Sequence, residues 1–124
     1  MQPRAAALLW DLHTAAMRIQ QFVAGRTWEE YAEDVLLRSA VERQFEIAGE
    51  AMSVLRKEDS ETAERVPGVH RIVGMRNVLI HGYAEINDLT VWRTATGDLN
   101  ALVTAVDALL IEAGPPMTKD GRGA

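Results

Sequence analysis

Apolar residues recur in this chain at every third and fourth position, and that spacing leaves helix as the only regular structure that buries them together. Leu8, Leu12, Ala15 and Ile19 make one stripe, which closes at Phe22 or Val23. Val35, Ala40 or Val41, Phe45, Ala48, Met52 and Leu55 make a second. Trp92, Ala95, Leu99, Leu102, Val106 and Leu109 make the cleanest. A helix places positions three and four apart on one face, so each stripe predicts one buried side. No alternating run long enough for a strand appears. Aromatic residues are only 6% of the 124, which also favours helix over sheet. The expected fold is all-α: an antiparallel bundle of about four main helices. It forms a single domain over residues 1–114. Residues 115–124 contain two glycines and almost no apolar anchor, and are expected to be a disordered tail.

The punctuation between stripes is readable. Gly25 stops the first helix, and Thr27 with Glu30 three residues later has the pattern of a capping box. From Trp28 the helical signal runs to Arg56, long enough to predict a kink or break near Leu37 to Ser39. Gly49 and Gly74 fall inside helices, where glycine costs about 1 kcal/mol relative to alanine. Both therefore predict a close helix contact. Lys57 to Ala63 reads as a linker or a short weak helix, and Val66-Pro67-Gly68 as a turn. A new helix begins near Val69 or His70 and carries Ile72, Val73, Met75 and Val78 or Leu79. Gly82 ends or bends it. Asn87 or Asp88 caps the last helix, and Gly114-Pro115-Pro116 stops it.

The formal net charge is -5, which argues against broad, non-specific nucleic-acid binding. Yet the stretch from Arg65 to Tyr83 holds Arg65, Arg71, Arg76, His70 and His81 with no Asp or Glu among them. That pattern predicts a small, focused anionic site. There is no cysteine, so disulfides and thiolate metal sites are excluded. No apolar run approaches the ~20 residues that span a bilayer. No membrane association is expected, and the default location is the cytoplasm.

The densest polar chemistry lies in Arg76-Asn77-Val78-Leu79-Ile80-His81-Gly82-Tyr83. Histidine suits proton transfer near neutrality, and the arginine fork matches a phosphate. Together they suit RNA cleavage, in which the ribose 2'-hydroxyl is an internal nucleophile. Asn77 could hold His81 in one tautomer or bond the phosphate, and Tyr83 could touch phosphate or base. The same residues also fit a solvated arginine beside a satisfied core or interface histidine. On the preceding helix, Glu46 or Glu50 could anchor Arg76 or a dimer partner. His13, His70 and His81 include no i,i+4 pair, so neither a metal site nor a cofactor is expected.

Arg76-Asn77, three apolar residues, then His81-Gly82-Tyr83 resembles the signature of the HepT-like toxins of the HEPN superfamily. The resemblance extends from about Leu8 to Leu110. It includes Thr27-Trp28-Glu29-Glu30-Tyr31, Gly74-Met75 and Val91-Trp92, and above all the run from Ala40 to Ala51. It implies a homodimeric HEPN-like helical fold and the toxin role in a type VII toxin–antitoxin system. It also implies metal-independent endoribonuclease activity on RNA, such as tRNA or mRNA, with Arg76 and His81 as the catalytic pair. Asn77 would support the site, and so would Glu46, which matches a scaffold glutamate near the cleft of related sequences, within reach of an ion pair with Arg76. Tyr83 matches the tyrosine that receives AMP from the partner antitoxin, an MntA-like nucleotidyltransferase. The alternative reading of the same residues is a non-catalytic helical dimer that binds a nucleotide or a nucleotidyltransferase.

Overall fold

Helix α1 (Pro3–Val23) buries the predicted stripe, Leu8, Leu12, Ala15, Ile19 and Val23, together with Ala5, Leu9 and Ala16 beside it. In the computed structural model, which describes residues 1–82 and 86–114, it is flanked by two long antiparallel neighbours. Contacts with α3 (Val35–Glu58) run in opposite senses along the two helices. Arg4 pairs with Glu58 and the Gln2 N–H donates to Asp59 Oδ2 at 2.7 Å at one end. At the other end, Phe22 shares a cleft with Leu37 and Ala40. The same is true of α7 (Leu99–Ala113). Its Asp107 meets His13 at 2.7 Å, and its Asn100 accepts from Gln20 Nε2 at 3.0 Å. The predicted tail lies outside the described residues, among which there is no strand.

The break in the second helical run comes at Asp34, three residues before the predicted region. Helix α2 (Trp28–Glu33) starts with the capping box that the sequence predicts. The Glu30 N–H donates to Thr27 Oγ1 at 3.1 Å, and the Thr27 N–H to Glu30 Oε1 at 3.0 Å. Asp34 then leaves the helical region (φ -107°, ψ 96°) and restarts the chain as the N-cap of α3, accepting from the Leu37 N–H at 3.0 Å. Arg38 reaches back to the Tyr31 and Ala32 carbonyls that end α2. Aspartate capping therefore outweighs the apolar pattern, which alone runs through this point. A second aspartate, Asp59, performs the same service for α4 (Ser60–Glu64). It accepts from the Thr62 N–H at 3.1 Å, and its bonds to the Gln2 and Thr62 donors hold its carboxyl below the ordinary range.

Helix α5 (Val69–His81) follows Gly68, whose φ of +80° is left-handed and suits glycine. It buries Ile72, Met75 and Leu79. The end of the bundle is one 26-residue helical run, Asp88–Ala113, interrupted by a π segment. Helix α6 (Asp88–Arg93) is capped by Asn87, whose Oδ1 accepts from the Thr90 N–H at 3.0 Å. The π segment Thr94–Asp98 then adds a residue to the turn. There the Thr94 and Thr96 hydroxyls bond the carbonyls of Thr90 and Trp92, at 2.9 and 2.8 Å. This run is long and apolar enough to cross a membrane by length and composition alone. Its apolar residues Val91, Ala95, Leu99, Leu102, Val106 and Leu109 are buried in the bundle, and that packing accounts for its composition.

The two helix-interior glycines part company. A Cβ on Gly49 would lie 2.8 Å from Arg76 Cγ, closer still to Arg76 Cβ, and 3.0 Å from the Ile72 carbonyl oxygen. Glycine is what lets α3 and α5 touch. Gly74 faces open space, with nothing within 4 Å of a Cβ built there, so the close contact that the sequence predicts is not made among the described residues. Gly49→Ala is expected to destabilise the protein by about 1–3 kcal/mol through overpacking. Gly74→Ala is expected to stabilise it by about 0.5–1 kcal/mol through helix propensity. Urea melts of both variants check the opposite signs.

Candidate active site

Arg76 is placed by α3. Its stem lies across Gly49, and its head is held by the next residue: Nη2 donates to Glu50 Oε2 at 2.7 Å. Nη1 donates to Asn77 Oδ1 at 3.0 Å. The side chain is 25% exposed, and Nε is buried with no hydrogen-bond partner among the described residues. A buried, unpaired donor on a charged group is costly. Here it marks a guanidinium whose hydrogen-bonding capacity is only partly used, as an anion-binding group requires.

Asn77 and His81 are four residues apart and both exposed, so they share the outer face of α5 with His70 and Gly74. His81 is the last residue of the helix, and the Gly82 N–H closes its final turn on the Val78 carbonyl at 2.8 Å. The His81 ring makes no hydrogen bond among the described residues. Asn77 spends its carbonyl oxygen on Arg76 and makes no hydrogen bond to His81 among the described residues. Arg76 and His81 are ~140° apart around the axis and ~7.5 Å along it. Arg76 turns toward α3 while His81 faces outward. Tyr83 lies outside the described residues.

Glu46 does not pair with Arg76. It is held by Arg43 at 3.1 Å, one turn earlier on α3. The reason is register: α5 runs antiparallel to α3, so Arg76 meets Gly49 and Glu50, while Ile80 comes to the cleft that Glu46 and Ile47 line. That cleft, about 380 Å³, also contains Leu8, Asp11, Arg43 and Glu50. Glu50 was legible only as the alternative to Glu46, and the signal for it was its neighbour, the helix-interior Gly49.

The locally basic stretch proves to be neutralised in space. Arg65 forms a two-pronged pair with Glu112 at 2.6 and 3.1 Å, Arg71 pairs with Asp98, and Arg76 pairs with Glu50. A helix spreads Arg71 and Arg76 to different sides, and each finds an acid on another element. Positive charge therefore does not accumulate as the sequence order suggests. Among the described residues, no group of three His, Asp or Glu side chains could hold a metal ion.

On α2, Tyr31 is fully buried, its ring 5.3 Å from that of Trp92, and its hydroxyl has no partner among the described residues. Burial, and then the nearby Glu42 and Asp88 carboxylates, push the Tyr31 hydroxyl well above its ordinary range; Arg38 opposes them. Burial also raises the Glu42 carboxyl, helped by Asp88 and Glu46.

Residues 12–109 match the family model described as "Ribonuclease HepT-like". The chain belongs to the HepT-like family. Among curated proteins, this HepT-like chain is 30% identical over 101 residues to "Putative RNase MJ1380" of Methanocaldococcus jannaschii, covering 82% of the chain and 92% of that protein. It is 36% identical over 88 residues to "Putative RNase TTE0752" of Caldanaerobacter subterraneus subsp. tengcongensis, covering 71% and 78%. No solved structure matches it. The all-α architecture is that of a HEPN-like domain, and the family and these relatives support ribonuclease activity.

The raised Glu42 carboxyl has a consequence for stability. Its folded-state pKa lies above the unfolded one, so its contribution is fully present below the ordinary carboxylate range and is lost as pH rises from there through the raised folded-state value. Glu42→Gln is therefore expected to raise the Tm at pH 7, with the gain over wild type shrinking toward pH 4. Melting both proteins across that range checks it; a gain independent of pH would contradict it.

Proposed function

We propose that this HepT-like chain is the toxin of a toxin–antitoxin pair: a cytoplasmic, homodimeric, metal-independent endoribonuclease that uses Arg76 and His81. The observation that carries the reading is Arg76 itself. It is a partly buried guanidinium, fixed at stem and head and not hydrogen-bonded to capacity, on the same short helix as an exposed histidine with no partner among the described residues.

In the proposed reaction, a base removes the proton of a ribose 2'-hydroxyl, and the 2'-oxygen attacks the adjacent phosphorus. The bond from phosphorus to the 5'-oxygen breaks, and that oxygen is protonated as it leaves. The products are a 2',3'-cyclic phosphate and a 5'-hydroxyl end. His81 moves the proton, and Arg76 stabilises the charge that builds on the phosphorane oxygens. Asn77 supports the site by steadying the guanidinium. A second copy facing the outer side of α5 would supply a second His81, so that one histidine acts as base and the other as acid.

Tyr83 follows His81 by two residues. AMP placed there by an MntA-like nucleotidyltransferase would set a bulky phosphodiester anion near the pair and silence it by size and charge. A second reading, a non-catalytic dimer that binds a nucleotide or its nucleotidyltransferase, is favoured by one feature. The cleft beside Arg76 carries Asp11, Glu46 and Glu50, which would repel RNA and suit a protein.

The test is cleavage of cellular tRNA and mRNA in EDTA, with mass spectrometry showing Tyr83 free of AMP. Wild type is expected to leave 2',3'-cyclic phosphate ends. His81→Ala and Arg76→Ala are each expected to be slower by ~10²–10⁴-fold, and AMP on Tyr83 to abolish cutting. Intact RNA with unmodified wild type would transfer the case to the binding reading.

A further inference from the structure

The catalytic reading leaves Glu50 without a role, although its placement is unusual. Its side chain is 57% exposed, so burial does not explain why it is fixed. Its carboxylate makes one hydrogen bond among the described residues, and that bond goes to Arg76 Nη2. An ion pair this exposed adds little to stability. What it does settle is orientation. Gly49 fixes the stem of Arg76, while Glu50 and Asn77 each take one terminal nitrogen. Two terminal nitrogens held on different elements define the plane of a guanidinium, which a single contact would leave free to rotate.

We infer that Glu50 is a positioning residue for RNA cleavage, orienting the Arg76 guanidinium toward the scissile phosphate while its own charge weakens RNA binding. The inference rests on the ribonuclease reading above. The two effects have opposite signs because they act at different stages. Orientation matters when charge develops in the transition state. Repulsion between the carboxylate and the phosphate is already present when RNA binds. The other carboxylates of the cleft do not take this part: Glu46 is engaged by Arg43, and Asp11 makes no hydrogen bond to Arg76.

The experiment compares wild type, Glu50→Ala and Glu50→Gln. Three quantities are read: the single-turnover cleavage rate, the affinity for a 2'-O-methyl RNA of the same sequence, which cannot be cut, and the guanidinium N–H signals of Arg76 by ¹⁵N NMR. Those signals are assigned by their loss in Arg76→Lys. Glu50→Ala is expected to slow cleavage by ~10–100-fold, to leave 2'-O-methyl RNA binding equal or tighter, and to broaden the Arg76 signals. Glu50→Gln, which keeps an acceptor oxygen, is expected to recover part of the rate. A purely structural role would instead lower the rate, the affinity and the melting temperature together, and that result overturns the proposal. So does a wild-type rate in Glu50→Ala, or Arg76 signals unchanged by the substitution. A wild type that cuts no RNA overturns the ribonuclease reading itself and the catalytic role of Glu50 with it, and is recognised by its failure before any variant is compared.

Discussion

The approach of α3 to α5 at Gly49 is the contact on which the rest of the structure turns. With any side chain at position 49, Arg76 would have to leave, because a Cβ there collides with its stem and crowds the Ile72 carbonyl. With glycine, the two helices close, the arginine lies flat across the gap, and the next residue of α3 meets its head. The cost of a glycine inside a helix is thereby converted into a fixed cation. The other helices serve this arrangement. Helix α1 clamps α3 along its length through its apolar face and its terminal ion pair with Glu58. The capped restart at Asp34 sets where α3 begins.

Charge is distributed so that the site stays discrete. The protein is acidic overall, and the arginines of its most basic stretch are each matched by a carboxylate on a different element. Attraction for polyanions is therefore weak over the surface and depends on local geometry. On the proposed reading, binding comes from a few oriented donors and from a second copy of the chain, and specificity from the shape of the cleft more than from its field.

Much of this was legible in the residue order, and the misses have physical causes. The stripes located all the main helices because burial on one face leaves a period that survives in sequence. Thr27 and Glu30 revealed their capping box because both halves are local. The break at Asp34 falls earlier than the apolar pattern predicts, since an aspartate cap competes with a stripe that continues past it. The partner of Arg76 was harder. Glu46 and Glu50 lie on the same α3 run, and only the antiparallel register of α3 against α5 decides between them. Gly74 differs for the opposite reason: it has the same pattern as Gly49, yet a Cβ there would meet nothing within 4 Å among the described residues. The basic stretch looked like a patch because sequence order ignores the ~100° turn from each helical residue to the next.

If the account is right, Arg76 acts through its oriented fork and not merely through its charge. The direct measurement is single-turnover RNA cleavage by Arg76→Lys beside wild type and Arg76→Ala. A lysine keeps the charge but has no planar fork to hold against both Glu50 and Asn77. The account predicts that Arg76→Lys stays close to Arg76→Ala, far below wild type. A lysine variant that cuts RNA at the wild-type rate would contradict it.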